Sequence, residues 1–194
     1  MIESLEIIDR ELLLFINSHN APLIDDVMFN VSKIWVFAPL FIYWMWLISK
    51  KYELKKVLII FFFTIILIAL TDQSANRVKH AVKRFRPTHN TEIKNQIHIV
   101  NDYEGGKYGF FSGHAANSFG IATLLFLLFA KHSYLLRSAF FMWASLTAYS
   151  RMYLGVHYPS DIFMGIIVGL FWGFVIYNLI QFTFKKYFNE TIAV

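Results

Sequence analysis

Apolar residues gather into five long runs along this chain, parted by short polar breaks. The runs cover residues 34–49, 57–71, 112 or 113 to 130, 135–153 and 161–184. Several approach the ~20 apolar residues that cross a hydrocarbon layer. Backbone inside lipid must satisfy its own hydrogen bonds, so each run is predicted as a helix. The second is expected to continue as helix past its apolar part, to near Arg84. Trp35, Tyr153 and Tyr177 lie near run ends, where amphipathic rings suit the membrane interface. The pattern predicts an all-α membrane protein with one domain over residues 1–194. It would be a bundle of about five transmembrane helices behind an N-terminal amphipathic helix.

Residues 1–32 read differently. Ile2, Leu5, Ile8, Leu12, Phe15 and Ile16 recur at helical spacing, interrupted by Glu3, Glu6, Asp9, Arg10 and Glu11. That is an amphipathic helix, lying on the membrane surface or packed on the bundle. Residues 23–31 are a short apolar stretch that either extends the first run or makes a sixth segment.

Composition agrees with a membrane class. The chain is 57% hydrophobic and 16% charged, where soluble domains carry roughly 25% charged residues. The net charge of +5 sits largely in short loops beside the runs, so it does not indicate a nucleic-acid partner. The absence of cysteine excludes disulfide and thiolate chemistry. The N-terminus is acidic where a secretory signal would be basic, and no cleavable signal is expected.

Charge placement gives an orientation. Lys50, Lys51, Lys55 and Lys56, then Lys131 and Arg137, then Lys185 and Lys186 all flank the same ends of the runs. The positive-inside rule makes that side cytoplasmic. The loop over residues 72–112 then lies outside, although it carries Arg77, Lys79, Lys83, Arg84, Arg86, Lys94 and Lys107. A basic outer loop breaks the rule, and binding an anion supplies a reason.

Three polar islands fall on that outer face. The first is KHAVKRFRP at 79–87. On a continuous helix Lys79 and Arg86 share a face, with Lys83 between them and Pro87 as the stop. Such side chains suit phosphate oxygens, though a basic flank drawn to lipid headgroups would look the same. The second is FSGH at 111–114. Ser112 and Gly113 open an apolar helix, which offers free N–H groups and a positive dipole end to an anion. An ordinary Ser cap beside an interfacial His114 is the alternative. The third is SRMYLGVHYPSD at 150–161. Asp161 can accept from one ring nitrogen of His157 and leave the other free to attack. Arg151 can brace charge developing on phosphorus; otherwise Arg151 and Asp161 form a salt bridge closing the turn.

The spacing K-x6-R-P, S-G-H, S-R-x5-H-x3-D resembles the type 2 phosphatidic acid phosphatase (PAP2) superfamily over Lys79 to Asp161. Phe111 departs from the Pro that usually precedes the Ser-Gly-His, which affects the approach of the loop and not the donors. The resemblance implies His157 as the nucleophile, Asp161 as its orienting group and His114 as the general acid. It implies that Lys79, Arg86, Arg151, Ser112 and Gly113 hold the phosphate, with no metal or other cofactor. Positive donors then replace the magnesium of many phosphoryl-transfer sites. Opposite protonation demands on the two imidazoles predict a bell-shaped rate profile.

These readings point to a metal-independent lipid phosphatase of the bacterial cytoplasmic membrane, multi-pass, its site facing outward. Partners are a phosphorylated lipid substrate and the bilayer, with a monomer favoured. Undecaprenyl diphosphate heads the substrates, ahead of phosphatidylglycerophosphate, phosphatidic acid and lipid A phosphate. A lipid phosphoryl or headgroup transferase is the enzymatic alternative, and a module that binds anionic lipid the non-enzymatic one. His19, His80, His89, His98 and His132 lack partner spacing and read as surface residues. Gly165, Gly169 and Gly173 form a small-residue stripe, read as packing inside the bundle in preference to dimerisation. Asp72 and Asn76 lie where they can bond toward the site, and Gly105-Gly106 suggests a tight turn or cover in the 88–109 loop.

Overall fold

The computed structural model describes residues 2–192, and its regular structure is helical throughout. Seven α-helices follow in order: α1 (Ile2–Ser18), α2 (Pro22–Val31), α3 (Ala38–Lys51), α4 (Leu54–Val82), α5 (Gly113–Leu128), α6 (Tyr134–Tyr153) and α7 (Pro159–Phe188). Proline opens α2 and α7 at a position where its missing N–H costs nothing. Ser112 and Ser133 cap α5 and α6 by accepting from the N–H of Ala115 and Leu136.

Among the described residues, α4 and α7 are each long and apolar enough to cross a membrane. The pair α2 and α3 makes a third candidate, bent by 78°. Residues 23–31 therefore belong to a separate helix of 10 residues, neither an in-line extension of the first run nor a span alone. α5 is apolar but has 16 residues. The 29 residues of α4 would reach about 43 Å at 1.5 Å each, against a hydrocarbon layer of ~30 Å. Its Lys79 end can therefore stand at or beyond the apolar boundary.

α5 runs through the middle, buried on nearly every side between α4, α6 and α7. That placement explains why its sequence has no polar face. The glycine stripe of α7 lies against it. A Cβ on Gly165 would sit 2.6 Å from the Ser112 carbonyl oxygen, one on Gly169 2.5 Å from that of Ala116, and one on Gly173 2.6 Å from that of Gly120. The stripe thus serves packing within the bundle. Apolar side chains such as Phe62, Ile65, Met142, Phe163, Phe171 and Phe174 point outward, as a lipid solvent requires.

The N-terminal helix inverts the expectation for an amphipathic segment on a protein. Leu5, Ile8, Leu12 and Phe15 are exposed, while Asp9, Leu13 and Asn17 form the buried line at i, i+4 and i+8. Beside a bilayer the apolar stripe can face lipid, and the polar groups are pinned to the protein. Asn17 donates to the carbonyl of Tyr153 at 2.7 Å and accepts from the His98 N–H at 2.8 Å. Asp25 of α2 accepts from the Tyr153 hydroxyl at 2.6 Å and contacts the His98 ring at 2.9 Å. Two expectations change accordingly. Tyr153 is a buried pin and not an interfacial anchor, and His98 has a carboxylate partner.

Candidate active site

The C-terminal end of α4, the N-terminal end of α5, the C-terminal end of α6 and the N-terminal end of α7 meet at one end of the bundle. All three polar islands meet there. The Ser112 N–H donates to the Asp161 carbonyl at 3.0 Å, tying the start of α5 to the first turn of α7. A Cβ built on Gly113 would lie 3.8 Å from Lys79 Nζ and 3.7 Å from Asp72 Oδ1. The ammonium thus stands beside the free N–H groups that open α5. Gly113 has room for a methyl at ordinary contact distance, so what its lack of a side chain keeps open is space next to Lys79.

Lys79 and Arg86 reach the site by different routes, which corrects the single-helix expectation. α4 ends at Val82, and Lys83 caps it in the left-handed region at φ 54°. Lys83 is exposed. Residues 84–86 then run extended: Arg86 N–H donates to the Lys107 carbonyl and Gly109 N–H to that of Arg84. The chain turns before Pro87 because these bonds offer the backbone partners outside the helix. Arg86 Nε donates to the Tyr108 carbonyl at 3.2 Å. Gly105, at φ +70°, allows the guanidinium to pack on its backbone.

His157 sits in the short connection between α6 and α7, 1% exposed. Its Nδ1 lies 3.3 Å from Asp161 Oδ2. The Tyr158 N–H donates to the same oxygen at 3.1 Å, and Arg84 Nη1 donates to Oδ1 at 2.9 Å. A Cβ on Gly109 would lie 2.9 Å from Asp161 Oδ2, so this glycine is also part of the packing around the pair. Burial, followed by the charges of Arg86, Arg151 and Lys79, holds the His157 imidazole well below its ordinary pKa. The ring is therefore neutral, with Nε2 free of the carboxylate.

Arg151 is 1% exposed, and it is not the partner of Asp161; that partner is Arg84. Arg151 Nη2 donates to the Tyr103 hydroxyl at 2.7 Å, while its buried Nε has no partner among the described residues. Lys79, Arg86 and Arg151 form no ion pair with a carboxylate among the described residues, yet all three act electrostatically on His157. Arg151 is buried and Lys79 and Arg86 are half-buried, and cations taken from water without an ion-pair partner are costly. An anion with several acceptor oxygens would offset that cost and complete the set.

His114 projects from the first turn of α5 into a groove of about 240 Å³ bounded by Lys33, Phe37, Asn117, Ile121 and Trp143. The ring is exposed to that groove and within electrostatic reach of His157. Asn117 donates to Asp72 at 2.8 Å and also bonds Thr71, which fixes α4 against α5 beneath His114. Asp72 thus bonds toward the site, as its position in the sequence suggested.

Sequence reasoning missed Asp9, Arg84 and Tyr103. Arg84 appeared only as one charge in a run, and Tyr103 lies in a loop with no periodicity. Asp9 looked like an interruption of an apolar stripe.

The profile of the PAP2 superfamily matches residues 57–185. A lipid A 4′-phosphatase of Bacteroides thetaiotaomicron is 38% identical over 181 residues, 91% of this chain and 79% of that protein. A lipid A 4′-phosphatase of Porphyromonas gingivalis is 32% identical over 190 residues, 95% and 78%. Among solved structures, Aquifex aeolicus LpxE superposes with a TM-score of 0.64 at 26% identity, covering 86% of this chain and 92% of that one. The phosphatidylglycerolphosphate phosphatase of Bacillus subtilis gives 0.67 at 18% identity, covering 91% and 86%, a likeness of fold.

Proposed function

Since this chain belongs to the PAP2 superfamily and is a multi-pass membrane lipid phosphatase, we propose that it removes a phosphate monoester from lipid A, at the 4′ position. Two relatives more than 30% identical over nearly the whole chain are lipid A 4′-phosphatases. This reverses the ranking drawn from sequence, which put undecaprenyl diphosphate ahead of lipid A. Five membrane crossings, α3 to α7, with the site on the outer leaflet side, accord with the lysine and arginine distribution.

One observation carries the chemistry: Lys79, Arg86 and Arg151 converge on a neutral, carboxylate-bound His157 and, among the described residues, form no ion pair of their own. In the first step His157 Nε2 attacks phosphorus, an N–P bond forms and the P–O bond to the sugar breaks. His114 gives its proton to the departing sugar oxygen. In the second step water attacks phosphorus, His114 takes a proton from it, and inorganic phosphate leaves with the imidazole restored. Lys79, Arg86, Arg151 and the N–H groups opening α5 hold the oxygens on which charge concentrates. The groove beside His114 lies on the leaving-group side, and its apolar walls suit the lipid portion.

The test is phosphate release by the purified protein from a panel: bis-phosphorylated lipid A, undecaprenyl diphosphate, phosphatidylglycerophosphate and phosphatidic acid. The expected result is the highest kcat/KM on lipid A, with the 4′-phosphate lost and the 1-phosphate retained. Preference for a diphosphate would refute the substrate assignment.

Acid pH supplies a second check. Because the pKa of His157 is depressed, its reactive neutral form persists to well below pH 6.5 in the free enzyme. The acid limb of kcat/KM belonging to the nucleophile is therefore expected well below 6.5. The second ionisation of the substrate phosphate, near ~6, is measured separately and divided out. A remaining limb at 6.5 would show an imidazole with no such surroundings.

A further inference from the structure

We infer that Asp9, delivered by the outer helix α1, is a positioning residue that keeps the Asp161 carboxylate aligned on His157 by occupying the second arm of Arg84. This rests on the phosphatase site described above. Asp9 is 7% exposed and comes from a helix more than 70 residues away in sequence from any island it touches. Its Oδ2 accepts from Arg84 Nη2 at 2.5 Å and from the Ser160 hydroxyl at 2.5 Å. Its Oδ1 accepts from the Ser160 N–H at 2.8 Å. Ser160 lies in the first turn of α7, where backbone N–H groups lack helical partners. Asp9 thus caps the helix that carries Asp161 and holds the arginine that touches Asp161.

The fork of Arg84 shows what this arrangement achieves. Nη1 donates to Asp161 Oδ1 at 2.9 Å and to Ser160 Oγ at 2.6 Å, while Nη2 turns to Asp9. The Tyr158 ring lies 4.1 Å from the guanidinium carbon and restricts its plane. An arginine facing a single carboxylate prefers to bind both oxygens. With Nη2 committed to Asp9, Arg84 takes only Oδ1, and Oδ2 stays on His157 Nδ1. Without Asp9, Nη2 is free to compete for Oδ2, and the imidazole is left with its bond to the Gly109 backbone but without the carboxylate contact that helps set its plane. The chain of contacts runs from Asp9 through Arg84 and Asp161 to His157, with no step in which Asp9 meets the substrate.

A structural role for α1 has to be separated from this one. Leu13, one turn further along the same buried line, is fully enclosed with Ile93, Ile97 and Tyr158, and being apolar it makes none of these hydrogen bonds itself. Leu13→Ala loosens the docking of α1 without altering the charges. The experiment measures phosphate release from bis-phosphorylated lipid A and from phosphatidic acid in mixed micelles. Wild type, Asp9→Asn, Leu13→Ala and His157→Ala are compared, each with its melting temperature. Misplacement of reacting groups by about an ångström costs on the order of 10²-fold. Asp9→Asn is therefore expected to lower kcat roughly 10- to 100-fold with KM within about twofold. Leu13→Ala should melt earlier yet keep kcat within about threefold. Wild-type kcat in Asp9→Asn overturns the inference, as does an equal loss of kcat in Leu13→Ala. A wild type inactive on both lipids, or an active His157→Ala, overturns the underlying site assignment instead.

Discussion

Replacing His157 with Ala is expected to lower phosphate release from lipid A by about 10⁵-fold, the scale seen when a covalent nucleophile is removed. The ring is the imidazole that has both the Asp161 contact and the Lys79, Arg86 and Arg151 charges around it, so the variant removes the proposed nucleophile together with its orienting contact. Binding should survive, because those cations and the N–H groups of α5 do not depend on the imidazole. Inorganic phosphate should therefore raise the melting temperature of the variant as it does that of the wild type. His157 is buried, and deleting its ring leaves a cavity. His157→Gln keeps much of the volume and serves as the second variant. Either variant retaining more than a tenth of the wild-type kcat while folded would remove His157 from the chemistry. Loss of both turnover and phosphate binding would make it a binding residue instead.

The helices that carry this site were readable where local chemistry decides their ends. Residues 135–153 became α6 with a start one residue earlier, because Ser133 caps it. Pro159 at the first helical position fixed the start of α7, two residues before the expected one. The end of α4 was placed to within two residues, yet the reason differed: a left-handed Lys83, not Pro87, stops it. That reason depends on bonds to residues 107–109, which no local pattern announces.

The same division holds for the site. His157 and Asp161 are four apart across a helix start, a separation at which a hydrogen bond is a local matter. The four helix ends meet because successive antiparallel helices return to the same face, so the convergence of the islands could be anticipated. Arg84 could not be singled out from Lys83 and Arg86, since only tertiary contacts distinguish a paired guanidinium from an unpaired one. The inward face of α1 was unreadable for another reason. The helical repeat of apolar residues locates the greasy stripe but does not say whether protein or lipid lies against it. Here lipid is the better solvent for Leu5, Leu12 and Phe15, and the acid in their midst turns toward Arg84.

His114→Ala should separate the two steps of the reaction by leaving-group chemistry. A sugar alkoxide is nearly as basic as hydroxide, the conjugate base of water with a pKa of about 15.7, and it leaves poorly without a proton. Lipid A turnover in this variant is therefore expected to fall by roughly 10²–10⁴-fold, the usual worth of a general acid. A para-nitrophenyl phosphate needs no such help, because nitrophenolate is stable at neutral pH. Its first turnover should proceed at close to the wild-type rate. The second step then stalls, because the same imidazole must take a proton from the attacking water. The result is a burst of nitrophenolate near one equivalent per enzyme, followed by slow release of phosphate. His114 opens onto the groove, where the departing lipid portion can lie, and it feels the same Arg151, Arg86 and Lys79 charges as His157. Rapid-quench measurement of both products decides the matter. Equal loss on both substrates with no burst would move His114 from proton transfer to substrate binding, and another group would have to protonate the departing oxygen.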